Sequence, residues 1–211
     1  MKFRKPHELQ IIVSNIPKFT SSVASGDPRQ DKVILWTRVD NYIGTVHVVV
    51  SKDSNFNNPL KYKTSTTADV DFIVKVDIIN LTDNTIYYYK FVAAGVESPV
   101  GRTKTLPKDA KHLKIAIASC ANYPYGHFVA YSAMVALKAE LLVFLGDYIY
   151  EYRDKKYGSG NFTGRLPKPN YDLITLNDYR TRHLQYKRDP DLQYMHKNIP
   201  IIAVWDGIFK Y

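Results

Sequence analysis

The sequence predicts a mixed fold, an antiparallel β-sandwich followed by an α/β unit. Three observations carry this reading. Between Val23 and about Leu106, apolar residues recur at the two-residue period of half-buried strands, with no helical period between them. Residues 101–111 are then polar and contain Pro107, as a linker would. Beyond them the rhythm becomes strand, helix, strand, and the strands are continuous apolar runs, which suits a parallel sheet covered on both faces. The implied division is an extension at residues 1–20, a sandwich at 21–106 and an α/β unit at 112–211.

In the first unit, Lys32 to Val39 and Thr45 to Val50 read as strands, and Asp71 to Ile79 alternates as a half-buried strand should. Turn residues Thr82, Asp83 and Asn84 lead into a strand on which Tyr87 and Tyr89 share a face. The pattern Leu81, Thr85, Tyr87, Tyr89 resembles the tyrosine corner of fibronectin III or immunoglobulin-like sandwiches of about 100 residues. In the second unit, Leu113 to Ala118 is a short strand, and Gly126 to Leu137 carries Phe128, Tyr131, Val135 and Leu137 at helical spacing. Leu141 to Leu145 is a second strand. Residues 153–170 are irregular and rich in glycine and proline, the composition of a functional or mobile loop. Asp172 to about Lys187 reads as a charged helix, and Ile199 to Trp205 as a third strand.

Bulk composition narrows the class. Of the 211 residues, 45% are hydrophobic and 23% charged, ordinary values for a globular protein. The net charge of +9 favours anionic partners, but no block of like charges forms a nucleic-acid arm and no nucleic-acid motif is present. A single cysteine, Cys120, excludes an intrachain disulfide framework. No run reaches the ~18 apolar residues of a membrane span. The N-terminus lacks the apolar core and small-residue cleavage site of an export signal.

Ligands of open parallel sheets bind beyond the carboxyl ends of the strands. Those ends carry Ser119-Cys120, Gly146-Asp147 and Trp205-Asp206, a thiol and two carboxylates that converge if the strands are neighbours. Such a set suits a metal. Each member alone also has a structural explanation: a buried cysteine packs as a small apolar group, and an aspartate after a strand caps or turns the chain. Nucleophilic catalysis by Cys120 is the rival chemistry and requires a histidine base, with His112, His127, His183 and His196 as candidates. Phosphate-loop, dinucleotide and nucleophile-elbow motifs are missing.

Four segments, ASGDPRQDKVILWTRV (24–39), IASCANY (117–123), FLGDYIYEY (144–152) and TLNDYRTRHLQYKRDPDLQYMHKNIPIIAVWD (175–206), resemble the PhoD-like alkaline phosphatases. The resemblance runs in order from Ser22 to Asp206. It implies a β-sandwich followed by the first part of an α/β metallophosphatase domain, and hydrolysis of phosphate esters at a multi-metal centre holding Fe3+ and Ca2+. It implies metal ligation by Cys120, by Asp147 as a bridging carboxylate, by Tyr150 as a phenolate and by Asp206. Family members continue past the Trp-Asp position with a further acid, a histidine and a glutamate, whereas Gly207, Ile208 and Phe209 follow Asp206 here. The family is usually exported, to the periplasm or beyond the cell. The resemblance therefore leads us to expect a member lacking its signal and much of its second half, with an uncovered apolar sheet edge and face. The alternative expectation is a non-catalytic sandwich module with a residual α/β half.

Overall fold

The computed structural model describes residues 16–204 except 157–159, 161 and 163. Its strands are β1 (Val23–Gly26), β2 (Val33–Arg38), β3 (Gly44–Ser51), β4 (Leu60–Thr66), β5 (Ile73–Ile78), β6 (Ile86–Ala93), β7 (Val96–Glu97), β8 (Gly101–Lys104), β9 (Ile115–Ala118), β10 (Leu141–Phe144) and β11 (Ile201–Ala203). Its helices are α1 (Val129–Ala136), α2 (Leu176–Tyr186) and α3 (Pro190–Asn198). Among the described residues, no helix is long and apolar enough to cross a membrane.

Two sheets face each other across the first core. One contributes Val23, Val33, Leu35, Val74 and Ile78; the other contributes Val46, Val48, Val50, Tyr87, Tyr89 and Phe91. Alternation produces this directly, because every second residue of β2 and β6 is buried while its neighbours are partly open. Tyr87 closes the corner the sequence anticipates, its hydroxyl accepting a hydrogen bond from the Thr82 amide at 2.8 Å. The supposed linker begins as β8, which pairs with β6 from Ile86↔Lys104 to Tyr89↔Gly101. Gly101 is required there by close approach: a Cβ would lie 2.2 Å from the Tyr89 ring.

The two units share a sheet. Its order is β5-β2-β1-β11-β10-β9, antiparallel through β1 and parallel beyond it. The junction is narrow, a single pair, Gly26↔Ile201, with the Asp27 amide donating to the Ile201 carbonyl at 3.1 Å. Nothing in the hydrophobic period signals so brief a pairing. Helix α3 reinforces it, packing on α1, β1 and β8. Arg102 donates to the Asn198 carbonyl at 3.3 Å and Gln193 to the Thr20 carbonyl at 2.7 Å.

Leu142, Phe144, Tyr131, Tyr186, Leu192, Met195 and Ile199 form the second core, between the parallel strands and the helices. Among the described residues, the other face of these strands is largely open: Ile115, Ile117 and Ile202 stand on it and are 49%, 65% and 37% exposed.

Several boundaries differ from expectation. Helix α1 is shorter than Gly126–Leu137, beginning after Phe128 as its N-cap and ending before Leu137, an exposed cap. The charged helix starts later than Asp172, at the Thr175–Asp178 capping box. Helix α3 was not anticipated, although Asp189 as N-cap and Pro190 at its first position are the ordinary marks of a helix start.

Adding one methyl group at Gly101 forces it into the fully buried Tyr89 ring, with no strain from backbone φ. Gly101→Ala should therefore lower the stability of the chain by about 3 kcal/mol in urea unfolding. An unchanged midpoint would contradict this packing.

Candidate metal centre

The site grows from the ends of two adjacent parallel strands. β9 and β10 run in register from Ile115↔Leu141 to Ala118↔Phe144. Their exit loops stay paired, with Leu145 N to Ala118 O at 2.8 Å, Cys120 N to Gly146 O at 3.1 Å and Ala121 N to Asp147 O at 3.0 Å. Leaving the strands requires a sharp reversal, which explains Gly146 at φ +118° and the left-handed Cys120 and Asp147 at φ 57° and 54°. The result is that the two side chains face one another, Cys120 Sγ lying 3.5 Å from Asp147 Oδ2.

Tyr150 joins them. Burial pushes its phenol above the ordinary value, and contact with Cys120 and the charge of Asp147 push in the same direction. Burial likewise raises Tyr152 to about 12, with Tyr186, Tyr125 and Glu151 adding to it, while the Asn122 amide donating at 3.4 Å opposes the shift. Thiol, carboxylate and phenol thus converge at one point, where their ionised forms would repel one another. A bound cation reverses that logic and favours all three anions. The set, a soft thiolate with two anionic oxygen donors, can therefore hold a highly charged cation.

Asp206, the fourth predicted ligand, lies outside the described residues. Its strand is nevertheless the neighbour the convergence requires, since β11 pairs with β10 from Leu142↔Ile201 to Phe144↔Ala203. Among the described residues no group of three or more His, Cys, Asp or Glu side chains that could hold a metal assembles, and the group beside Cys120 and Asp147 is the phenol of Tyr150. Three of the four histidines offered as bases for Cys120 have partners of their own. His196 bonds the Tyr148 hydroxyl at 2.7 Å, His183 stacks on Tyr148, and His127 sits against Arg165 and Phe162.

A residue that sequence reasoning did not single out sets the position of Tyr150. Arg182, on α2 and 1% exposed, donates to the carbonyls of Tyr150, Tyr152, Lys168 and Pro169. One guanidinium so ties the site loop to the irregular loop and to a helix. Its partners are carbonyls distant in sequence, which leave no local pattern. A second buried cation, Arg165, reaches Asp189 at 2.9 Å and the Tyr123 carbonyl at 2.8 Å, anchoring the irregular loop to the start of α3. Beside Cys120 opens a cleft of about 550 Å³ running past Asn122, Tyr125 and His127 to Val129.

With this geometry in place, comparison with known proteins becomes informative. A family model described as PhoD-like phosphatase matches residues 115–207, and a model of the PhoD-like phosphatase N-terminal domain matches residues 10–107. The chain belongs to the PhoD-like phosphatases. Alkaline phosphatase D of Bacillus subtilis (strain 168) is 39% identical over 203 residues, covering 89% of this chain and 34% of that protein. A solved structure of PhoD matches with a TM-score of 0.82 at 37% identity, covering 89% of this chain and 38% of that one. The chain thus spans about a third of the length of these relatives. Cys120, Asp147, Tyr150 and Asp206 all fall inside the region matched by the PhoD-like phosphatase model.

The helix that carries Arg182 depends on Asp178. Its carboxylate accepts from the Thr175 amide at 2.8 Å, the Ile174 amide at 3.2 Å and the Tyr171 hydroxyl at 2.9 Å. The Thr175 amide foremost holds Asp178 down to about 2, from an ordinary 3.8. Because the folded value is depressed, this contribution is present above pH 3.8 and is lost as pH falls towards 2. Asp178→Asn should flatten the acid limb of a melting temperature against pH profile in that window. An unaltered limb would contradict the assignment.

Proposed function

We propose that this chain carries the metal-binding face of a phosphoesterase of the alkaline phosphatase and phosphodiesterase type, with Cys120, Asp147 and Tyr150 as ligands to ferric iron. The observation that supports it is the convergence of a thiol, a carboxylate and a phenol on paired ends of adjacent parallel strands. Three anionic donors suit a trivalent ion, and their deprotonation would accompany binding. Asp147, beside Cys120, would hold the iron with it and is proposed as the carboxylate shared with calcium. Asp206, three residues after the end of β11 in sequence, is proposed as a further ligand. The domain division at residues 21–106 and 112–211, with the second unit metallophosphatase-like, belongs to the same proposal.

Bound metals would polarise the phosphoryl oxygens, lower the pKa of the attacking water and offset charge in the transition state. The chain's own groups hold and aim. Arg182 fixes the backbone of Tyr150 and Tyr152, and the cleft beside Cys120 admits an ester of moderate size. The net charge of +9 favours approach of an anionic substrate.

Titration of the chain with ferric iron in the presence of calcium should produce a visible charge-transfer band from iron-bound tyrosinate. Tyr150→Phe should abolish it and Tyr152→Phe should leave it. A band unaffected by Tyr150→Phe, or no band in the unaltered chain, would contradict the ligand set.

A further inference from the structure

The outer face of the sandwich does not meet α2 closely. Between them lies a cavity of about 630 Å³, within the ~300–1,000 Å³ range of small-molecule sites. One wall comes from β1, β2 and β5, whose registers Ala24↔Trp36 and Arg38↔Ile73 place Ala24, Trp36 and Ile73 on a common face. The opposite wall includes Tyr179, His183 and Leu184 of α2. None of Cys120, Asp147 and Tyr150 lines it.

Its floor holds polar groups left with capacity to spare. Lys187 follows α2, and its ammonium lies 4.8 Å over the Trp36 ring and 5.5 Å over the Tyr148 ring. Its hydrogen-bond partner is His196 Nε2 at 3.3 Å. Among the described residues no carboxylate lies within ion-pair distance of it. Part of its surface stays open to solvent, yet desolvation lowers it to about 8. His196 is 4% exposed and is held neutral first by burial and then by the neighbouring ammonium. With Nε2 accepting from Lys187 and Tyr148, the imidazole proton resides on Nδ1, which has no partner. A buried donor without an acceptor is costly. Around the cavity, Arg38, Lys75, Arg180 and Lys187 outnumber Asp27 and Asp71. Asp27 and Asp71 are already paired, with Arg29 and Arg38.

We infer that this cavity binds a monocarboxylate with an apolar tail, its head accepting hydrogen bonds from Lys187 and His196 and its tail lying against Trp36, Ile73 and Leu184. Lys187 is the cation of this cavity packed against two aromatic rings and His196, and one such desolvated charge matches a single negative charge, whereas a phosphate dianion would leave charge uncompensated against the apolar walls. The inference stands apart from the metal centre and does not rest on it.

Isothermal titration of the 211-residue chain at pH 7 with octanoate and with 1-octanol tests it. Octanoate should bind saturably and about tenfold tighter than octanol, the equivalent of one retained charge-assisted contact. Lys187→Met and Lys187→Gln should each reduce that preference to about twofold or less while octanol binding persists. Should neither variant fold, the unaltered chain still decides. Equal affinities for acid and alcohol, or no saturable heat with either, would overturn the inference, as would a preference that survives loss of the ammonium.

Discussion

The parallel pairing of β9 with β10 continues for three residues past the strands themselves. The Cys120 and Ala121 amides bond the Gly146 and Asp147 carbonyls, and this backbone ladder brings the two side chains face to face. A slip of one residue in either strand would send Cys120 or Asp147 to the opposite side of the sheet. The register is enforced by what lies beneath, since Leu142 and Phe144 are fully buried against Met195, Leu192 and Tyr186. Packing of the second core and chemistry of the site are therefore a single constraint.

Around that ladder, buried cations do the work that regular structure cannot do for an irregular loop. Arg182 satisfies carbonyls from residues 150, 152, 168 and 169, groups that no helix or sheet would pair. Arg165 and Asp189 are 5% and 1% exposed, and Asp189 also caps α3 by accepting from the Asp191 and Leu192 amides at 3.0 and 3.1 Å. Desolvating such ions is expensive, and the Arg165–Asp189 pair offsets that cost only in part, since Arg165 Nη2 is buried without a hydrogen-bond partner. Removing either partner would strand a charge in the interior and loosen the loop that faces Tyr150. Lys187 differs from Arg165 in having no carboxylate partner among the described residues and, unlike Arg182, it lines the cavity beside Trp36.

Much of this was legible before any coordinates. The two-residue period marks β2, β3, β5 and β6, and Tyr87 makes the corner bond that its spacing implies. Cys120, Asp147 and Tyr150 were identifiable from strand ends and from the family resemblance, and the structure brings these three side chains together. The β1–β11 junction escaped notice because a one-pair contact has no periodic trace, and only Gly26 hints at a close approach, a Cβ there lying 3.1 Å from the Ile201 carbonyl. Arg182 was hidden for a related reason: its partners are backbone atoms, whose identity no side chain records. Helix α3 leaves only a local mark in the sequence, Asp189 as N-cap with Pro190 behind it.

Membership of the PhoD-like phosphatases and the geometry at the strand ends point to the same chemistry, and the account stands or falls on whether the thiol of Cys120 meets the metal. X-ray absorption at the iron edge of the ferric-loaded chain measures this most directly. The account predicts a sulfur neighbour in the first coordination shell that disappears in Cys120→Ser. A shell of oxygen and nitrogen alone in the unaltered chain, or a sulfur signal that survives Cys120→Ser, would contradict it.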